Sequence, residues 1–170
     1  MENIIRNQFA EKVKDFHLPK FHEIPTIGLY LDQVTQYING YIVPMGCPEI
    51  TPSMVSNYVK QGIIEAPVKK QYSAQTIAYL IFVSILKNVL SIEFMGKLFE
   101  KQKQMYNVQI AYDYCCSELE NVLYYICGLK EELDTIGVTN TELKDVLRSA
   151  VIASANIMYV NNSIDSLLQK

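Results

Sequence analysis

The 170-residue sequence predicts a mainly α-helical fold, with a front unit of short helices carrying a small two-stranded wing and, behind it, a long C-terminal helical hairpin. Three observations predict it. Apolar residues recur every three or four positions over most of the chain, which is the period of a helix with one buried face. Hydroxyl residues stand where helices should begin, at Thr51, Ser73 and Ser91. The last third keeps alternating steps of four and three with few interruptions, as long packed helices do. The expected organisation is residues 1–25 as an N-terminal helix and Pro-containing loop, 26–103 as the front domain, and 104–170 as the hairpin.

Residues 3 to 15 form a short amphipathic helix through Ile4, Ile5, Phe9 and Val13, and FHLPKFHEIP breaks it because its two prolines exclude a regular helix. From Ile27 to Val43, Tyr30, Leu31, Val34, Tyr37, Ile38, Tyr41 and Ile42 draw a helical stripe that Pro44 and Gly46 end. Thr51 as N-cap and Pro52 at the first helical position start a helix over residues 52 to 61, closed by Gly62. The segment IIEAPVKKQYS, residues 63 to 72 with Ser73 behind them, places β-branched residues around a Pro-containing connection and reads as a two-stranded wing. Ala74 to Val89 is apolar nearly all round and should be the central helix. Ser91 and Glu93 open another, to about Lys103.

Val108, Tyr112, Cys115, Leu119, Val122, Ile126 and Leu129 give one seam of the hairpin. Leu143, Val146, Ala150, Ala153, Ile157, Val160, Ile164 and Leu167 give the other, with Thr139 and Glu142 as a capping box. About 28 residues at 1.5 Å each would span roughly 40 Å. This second seam is either the inner face of an intramolecular hairpin or a homodimer interface, and dimerisation is the preferred expectation.

Composition narrows the function. Apolar residues make up 49% of the chain, ample for a core, and the net charge is −3. Residues 1–103 carry a net charge of +2 and residues 104–170 one of −5, so the front is the plausible polyanion face. The most apolar run, Ala74 to Leu86, is too short to cross a bilayer, and the N-terminus lacks a signal-like stretch, so a cytoplasmic protein without a membrane partner is expected. Cys47, Cys115, Cys116 and Cys127 show no C-x-x-C spacing and read as free thiols. A metal or redox sensor on the last three is a minor alternative, and no metal site or cofactor is expected. His17 and His22 lack a carboxylate at a suggestive spacing, and no Gly-rich phosphate loop is present, so no catalytic residue is assigned and no enzyme is expected. Tyr106, Tyr112, Tyr114, Tyr124 and Tyr125 could wall a pocket for a small-molecule effector.

The stretch ITPSMVSNYVKQGIIEAPVKKQYSAQTIAYLIFVSILKNVLSIEFMGKLF resembles the DNA-binding domain of MerR-type regulators. Tyr58 matches the last Tyr of that family's recognition helix, Gly62 and Ile63 its turn, Pro67 its wing, and Lys70 with Tyr72 its Arg-x-Tyr element. SIEFMGKLF looks like its Ser-Leu-Glu-Glu-Ile segment. From DFHLPKFHEIP through LYLDQVTQYI, roughly residues 15 to 110, the chain also resembles the uncharacterised bacterial family filed as domain of unknown function 1836. The first resemblance implies a MerR-like winged helix-turn-helix and a transcriptional regulator of double-stranded DNA.

On that reading the DNA-binding residues are Thr51, Ser53, Ser56, Asn57, Tyr58 and Lys60 on the recognition helix, with Lys69, Lys70, Gln71 and Tyr72 on the wing. Asn57 can pair with adenine, Ser53 and Ser56 with phosphate or bases, and the lysines with the backbone. Ser56 and Asn57 depart from the Arg and Tyr usual there, replacing a charge-assisted contact by neutral groups. The alternative is a protein-interaction or small-molecule-sensing module that keeps the fold without binding DNA.

Overall fold

A computed structural model describes residues 4–137 and 140–168. Among the described residues it is mainly helical: α1 (Ile4–Lys14), α2 (Leu31–Ile42), α3 (Pro52–Lys60), α4 (Ala74–Leu86), α5 (Ile92–Met105), α6 (Val108–Cys127) and α7 (Glu142–Leu168). Two short strands, β1 (Leu29–Tyr30) and β2 (Gln71–Tyr72), pair antiparallel with Leu29 opposite Tyr72 and Tyr30 opposite Gln71.

Local chemistry sets most helix starts. Thr51 accepts the Met54 N–H, Ser73 that of Thr76, Ser91 that of Phe94 and Asn107 that of Ile110. The expected capping box of α7 places Thr139 outside the described residues, and Thr141 takes the cap position: its Oγ1 accepts the Lys144 N–H at 3.3 Å.

Two expectations are corrected. The helix expected from Ile27 begins at Leu31, because Leu29 and Tyr30 are drawn into a strand by Tyr72 and Gln71, a pairing across forty residues that no local periodicity reports. The seam of α7 is also displaced. Its buried face runs through Leu143, Ala150, Val151, Ser154, Ala155, Met158 and Asn162, whereas Val146, Val160, Ile164 and Leu167 remain 54, 48, 46 and 57% exposed. The buried face includes Ser154 and Asn162, which an apolar count passes over. Their side chains donate to the carbonyls of Ile85 and Met45.

The core is continuous from Phe9 to Met158, with α4 at its centre, buried on every side and packed against α2, α5, α6 and α7. The hairpin of α6 and α7 closes within the chain, and α1 lies against both of its helices. Phe9, Ala10 and Val13 supply the inner face of α1. The Pro-containing loop is laid along α6, where Asp113 accepts the Phe21 N–H at 2.7 Å and Ser117 accepts from Lys20 Nζ at 2.9 Å. No helix among the described residues is long and apolar enough to cross a membrane.

Between α6 and α7, Glu118 is wholly buried and lies 2.7 Å from Arg148 Nε. Burial raises the pKa of its carboxyl, and the guanidinium opposes that shift. Arg148 also donates to the Asp134 carbonyl at 2.9 Å, and Asn121 binds the Asp134 backbone through both its amide atoms, which ties the connecting loop to the hairpin.

Candidate nucleic-acid interface

The connection between α2 and α3 is held from three elements: α2, the end of α4 and α7. Asn39 on α2 donates to the Ile50 carbonyl at 3.0 Å and accepts the Ile50 N–H at 2.9 Å, a two-bond lock across the turn. Lys87, just past α4, donates to the carbonyls of Pro48 and Glu49, each at 3.3 Å. From α7, Asn161 donates to the Gly46 carbonyl at 3.0 Å and Asn162 to that of Met45 at 2.9 Å. Gly46 itself has φ +81°, and a Cβ there would stand 2.7 Å from Asn162 Nδ2, so a side chain is excluded by both torsion and space. A loop fixed in this way gives α3 a defined position relative to the core.

α3 divides by face. Val55 and Tyr58 are buried, and burial raises the Tyr58 pKa, so this tyrosine anchors the helix rather than lining its surface. Ser56 is half-buried. Thr51, Ser53, Asn57 and Lys60 are exposed, and the side-chain bonds among the described residues do not engage Ser53, Asn57 or Lys60. Of these, Thr51 is committed through its hydroxyl to the cap.

The segment expected as a wing folds into a tight hairpin tip. Val68 and Gln71 exchange backbone hydrogen bonds of 3.0 and 2.9 Å around Lys69 and Lys70. Both lysines have positive φ, 50° and 68°, the torsions that a type I′ turn demands and that Asn-Gly usually supplies. For a residue with a Cβ this conformation costs roughly 1–2 kcal/mol. The tip therefore presents two adjacent exposed ammonium groups at an energetic cost to the fold. The strand that follows pairs with β1 rather than with residues 63–66, so Ile63 and Ile64 enter the core instead of forming a wing strand. Gln71 is half-buried and Tyr72 buried, both positioning the tip from behind.

Thus Ser53, Asn57, Lys60, Lys69 and Lys70 are surface groups, Thr51 is a cap, and Ser56, Tyr58, Gln71 and Tyr72 face partly or wholly inward. Asn39, Lys87, Asn161 and Asn162, which orient α3, were outside the sequence reading. A polar residue inside an amphipathic helix was the available signal for Asn39, but its partner is set by tertiary structure.

The four cysteines are buried and unbridged. Burial pushes the thiols of Cys47 and Cys127 up to about 11 and that of Cys116 to about 12, and raises Cys115 further, so they are protonated and poorly nucleophilic near neutrality. Among the described residues no group of three or more His, Cys, Asp or Glu side chains is placed to hold a metal ion. His17 and His22 are exposed. Of the five tyrosines, Tyr106 and Tyr114 line a cavity between α5, α6 and α7, whereas Tyr112 is buried, Tyr124 half-buried and Tyr125 exposed.

Compared with known proteins, the chain has no significant match among curated proteins and none among solved structures. Residues 19–115, which contain α2 to α5, the hairpin tip and the start of α6, match the family described as Domain of unknown function (DUF1836), and the chain belongs to that family.

Proposed function

We propose that the protein is a DNA-binding transcription regulator built on a MerR-like winged helix-turn-helix, with α3 in the major groove and the Lys69–Lys70 tip on the phosphate backbone. The observation that carries this reading is the exposed row of Ser53, Asn57 and Lys60 on a helix anchored through its other face, followed in the chain by two lysines held at positive φ. Strain at a turn that carries only charge is unrewarded by packing, and binding of a polyanion supplies the missing reason. Asn57 reads a base edge, with adenine the geometric match, Ser53 contacts phosphate or base, and the lysines set register along the backbone.

In this reading the protein catalyses no reaction, needs no cofactor and works in the cytoplasm. It acts as a homodimer through the half-exposed stripe of Val146, Val160, Ile164 and Leu167 on α7, so that two copies of a modest cationic surface read two half-sites. Selection from random duplexes tests the proposal: the wild type enriches a sequence motif, and Asn57→Ala relaxes preference at one position of each half-site. Failure to enrich any motif counts against the regulator.

A second reading, a protein-interaction module, draws on the exposed Phe94 and Met105, which border an open groove between α5 and α7 with Lys97 and Lys101 on its rim. It gains if duplex DNA fails to bind at low salt.

A further inference from the structure

We infer that the outer face of the hairpin tip, Val68 together with Tyr30, is an apolar contact surface for the sugar wall of the DNA minor groove, set beside the phosphates that Lys69 and Lys70 engage. The inference rests on the DNA reading above and adds to it a contact that charge does not supply.

Strand pairing decides which side chains stand together. Gln71 is joined to Val68 by two backbone hydrogen bonds and lies opposite Tyr30 across the pair of β1 and β2. Directly opposed residues send their side chains to the same side of a sheet, so Tyr30, Gln71 and Val68 form one row. The next opposed pair, Leu29 and Tyr72, points the other way, and because Tyr72 is buried and Leu29 half-buried that side is the core side. The row therefore faces solvent, where polar residues are expected, yet Val68 is 75% and Tyr30 51% exposed. Gly28 lets β1 approach: a Cβ there would stand 2.7 Å from that of Gln71.

Lys69 and Lys70 follow Val68 directly at positive φ. The side-chain hydrogen bonds and ion pairs among the described residues engage neither lysine, nor the Tyr30 hydroxyl. A partner that offered charge alone would leave Val68 and Tyr30 in water. Duplex DNA offers both: deoxyribose separates successive phosphates and walls the minor groove, where apolar side chains of groove-binding proteins lodge. A bilayer asks for more. One valine and one half-exposed tyrosine ring present less apolar surface than a single acyl chain, which binds membranes only marginally.

Titration of a fluorescein-labelled mixed-sequence duplex, followed by anisotropy at two salt concentrations, tests the inference. Val68→Ser with Tyr30→Ser should weaken binding by about tenfold at both concentrations, since burying a valine and part of a ring is worth at least that factor. The log–log salt slope should not change, because no cation is removed. Val68→Ile with Tyr30→Phe, which keeps the apolar face, should bind within about twofold of wild type. On an A·T-rich duplex, netropsin, a minor-groove ligand, should weaken the wild type more than the serine variant. Equal affinity of the serine variant and the wild type would overturn the inference and leave the DNA reading standing, as would equal weakening of the two by netropsin. Loss of affinity in the Ile and Phe variant would overturn it too. No duplex binding by the wild type at low salt would overturn both readings. Sedimentation with phosphatidylserine vesicles that the serine substitutions abolish, alongside duplex binding that they leave intact, would assign the face to lipid instead.

Discussion

In the α6–α7 hairpin, Glu118, Asn121 and Arg148 turn inward and are consumed by one another and by the backbone of the connecting loop. Along α3, Ser53, Asn57 and Lys60 turn outward and hold nothing together. The hairpin tip goes further than α3, since Lys69 and Lys70 occupy torsions that work against stability. The polar residues named in the hairpin are spent on the fold, whereas those on the outer face of α3 and at the tip are, in the proposed reading, kept for a partner outside it. Substitutions in the two regions should therefore move different observables.

The largest effect is expected at Arg148. Arg148→Met leaves a wholly buried Glu118 without its cation, and urea unfolding should show a loss of about 3–5 kcal/mol. A loss under 1 kcal/mol would mean that the pair does not hold the hairpin.

Next comes pH. Burial raises the Cys47 thiol to about 11 from 9.0, with Lys87 opposing the shift, so the folded state retains a proton that the unfolded chain releases earlier. The stability tied to this proton is fully present below pH 9 and is lost as pH rises through 11, about 3 kcal/mol for this one group. Denaturant midpoints measured between pH 8 and 11 should fall, and Cys47→Ala should flatten the fall. A parallel decline in wild type and variant would show that the thiol is not its source.

Relief of strain at the tip should be smaller and opposite in sign. Lys69→Gly and Lys70→Gly are each expected to raise stability by about 0.5–1 kcal/mol, because glycine adopts positive φ without penalty. Destabilisation by both would mean that the lysines are held by packing after all. Smallest of all is the effect of Ser53→Ala with Asn57→Ala, expected to leave the melting transition within about 0.5 kcal/mol of wild type. A larger loss would place these side chains in the fold rather than on its outer face.

What could be read from the sequence follows the range of the interactions. Thr51–Pro52, Ser73 and Ser91 act within three residues, and the helices they open stand where expected. The apolar run of α4 fixes a buried helix wherever its neighbours lie. The start of α2 was misplaced because Leu29 pairs with Tyr72, and the α7 seam because Asn162 reaches Met45, both contacts between distant parts of the chain. The exposed residues of α3 were legible in part, at Ser53, Asn57 and Lys60, whereas Tyr58 and Ser56, expected at the DNA, turn wholly or partly inward. The cavity was legible only as a surplus of tyrosines, two of which line it. The positive φ of Lys69 and Lys70 runs against their residue type and was invisible to a propensity argument.

The most direct test of the central claim is the salt dependence of duplex binding, titrated at two or more salt concentrations for the wild type and for Lys69→Ala with Lys70→Ala. The prediction is measurable binding at low salt with a log–log slope that becomes shallower by about 2 in the double variant, one unit for each phosphate contact removed, with all sequences weakened alike. Absence of binding at low salt, or a slope that the double variant leaves unchanged, would contradict the account.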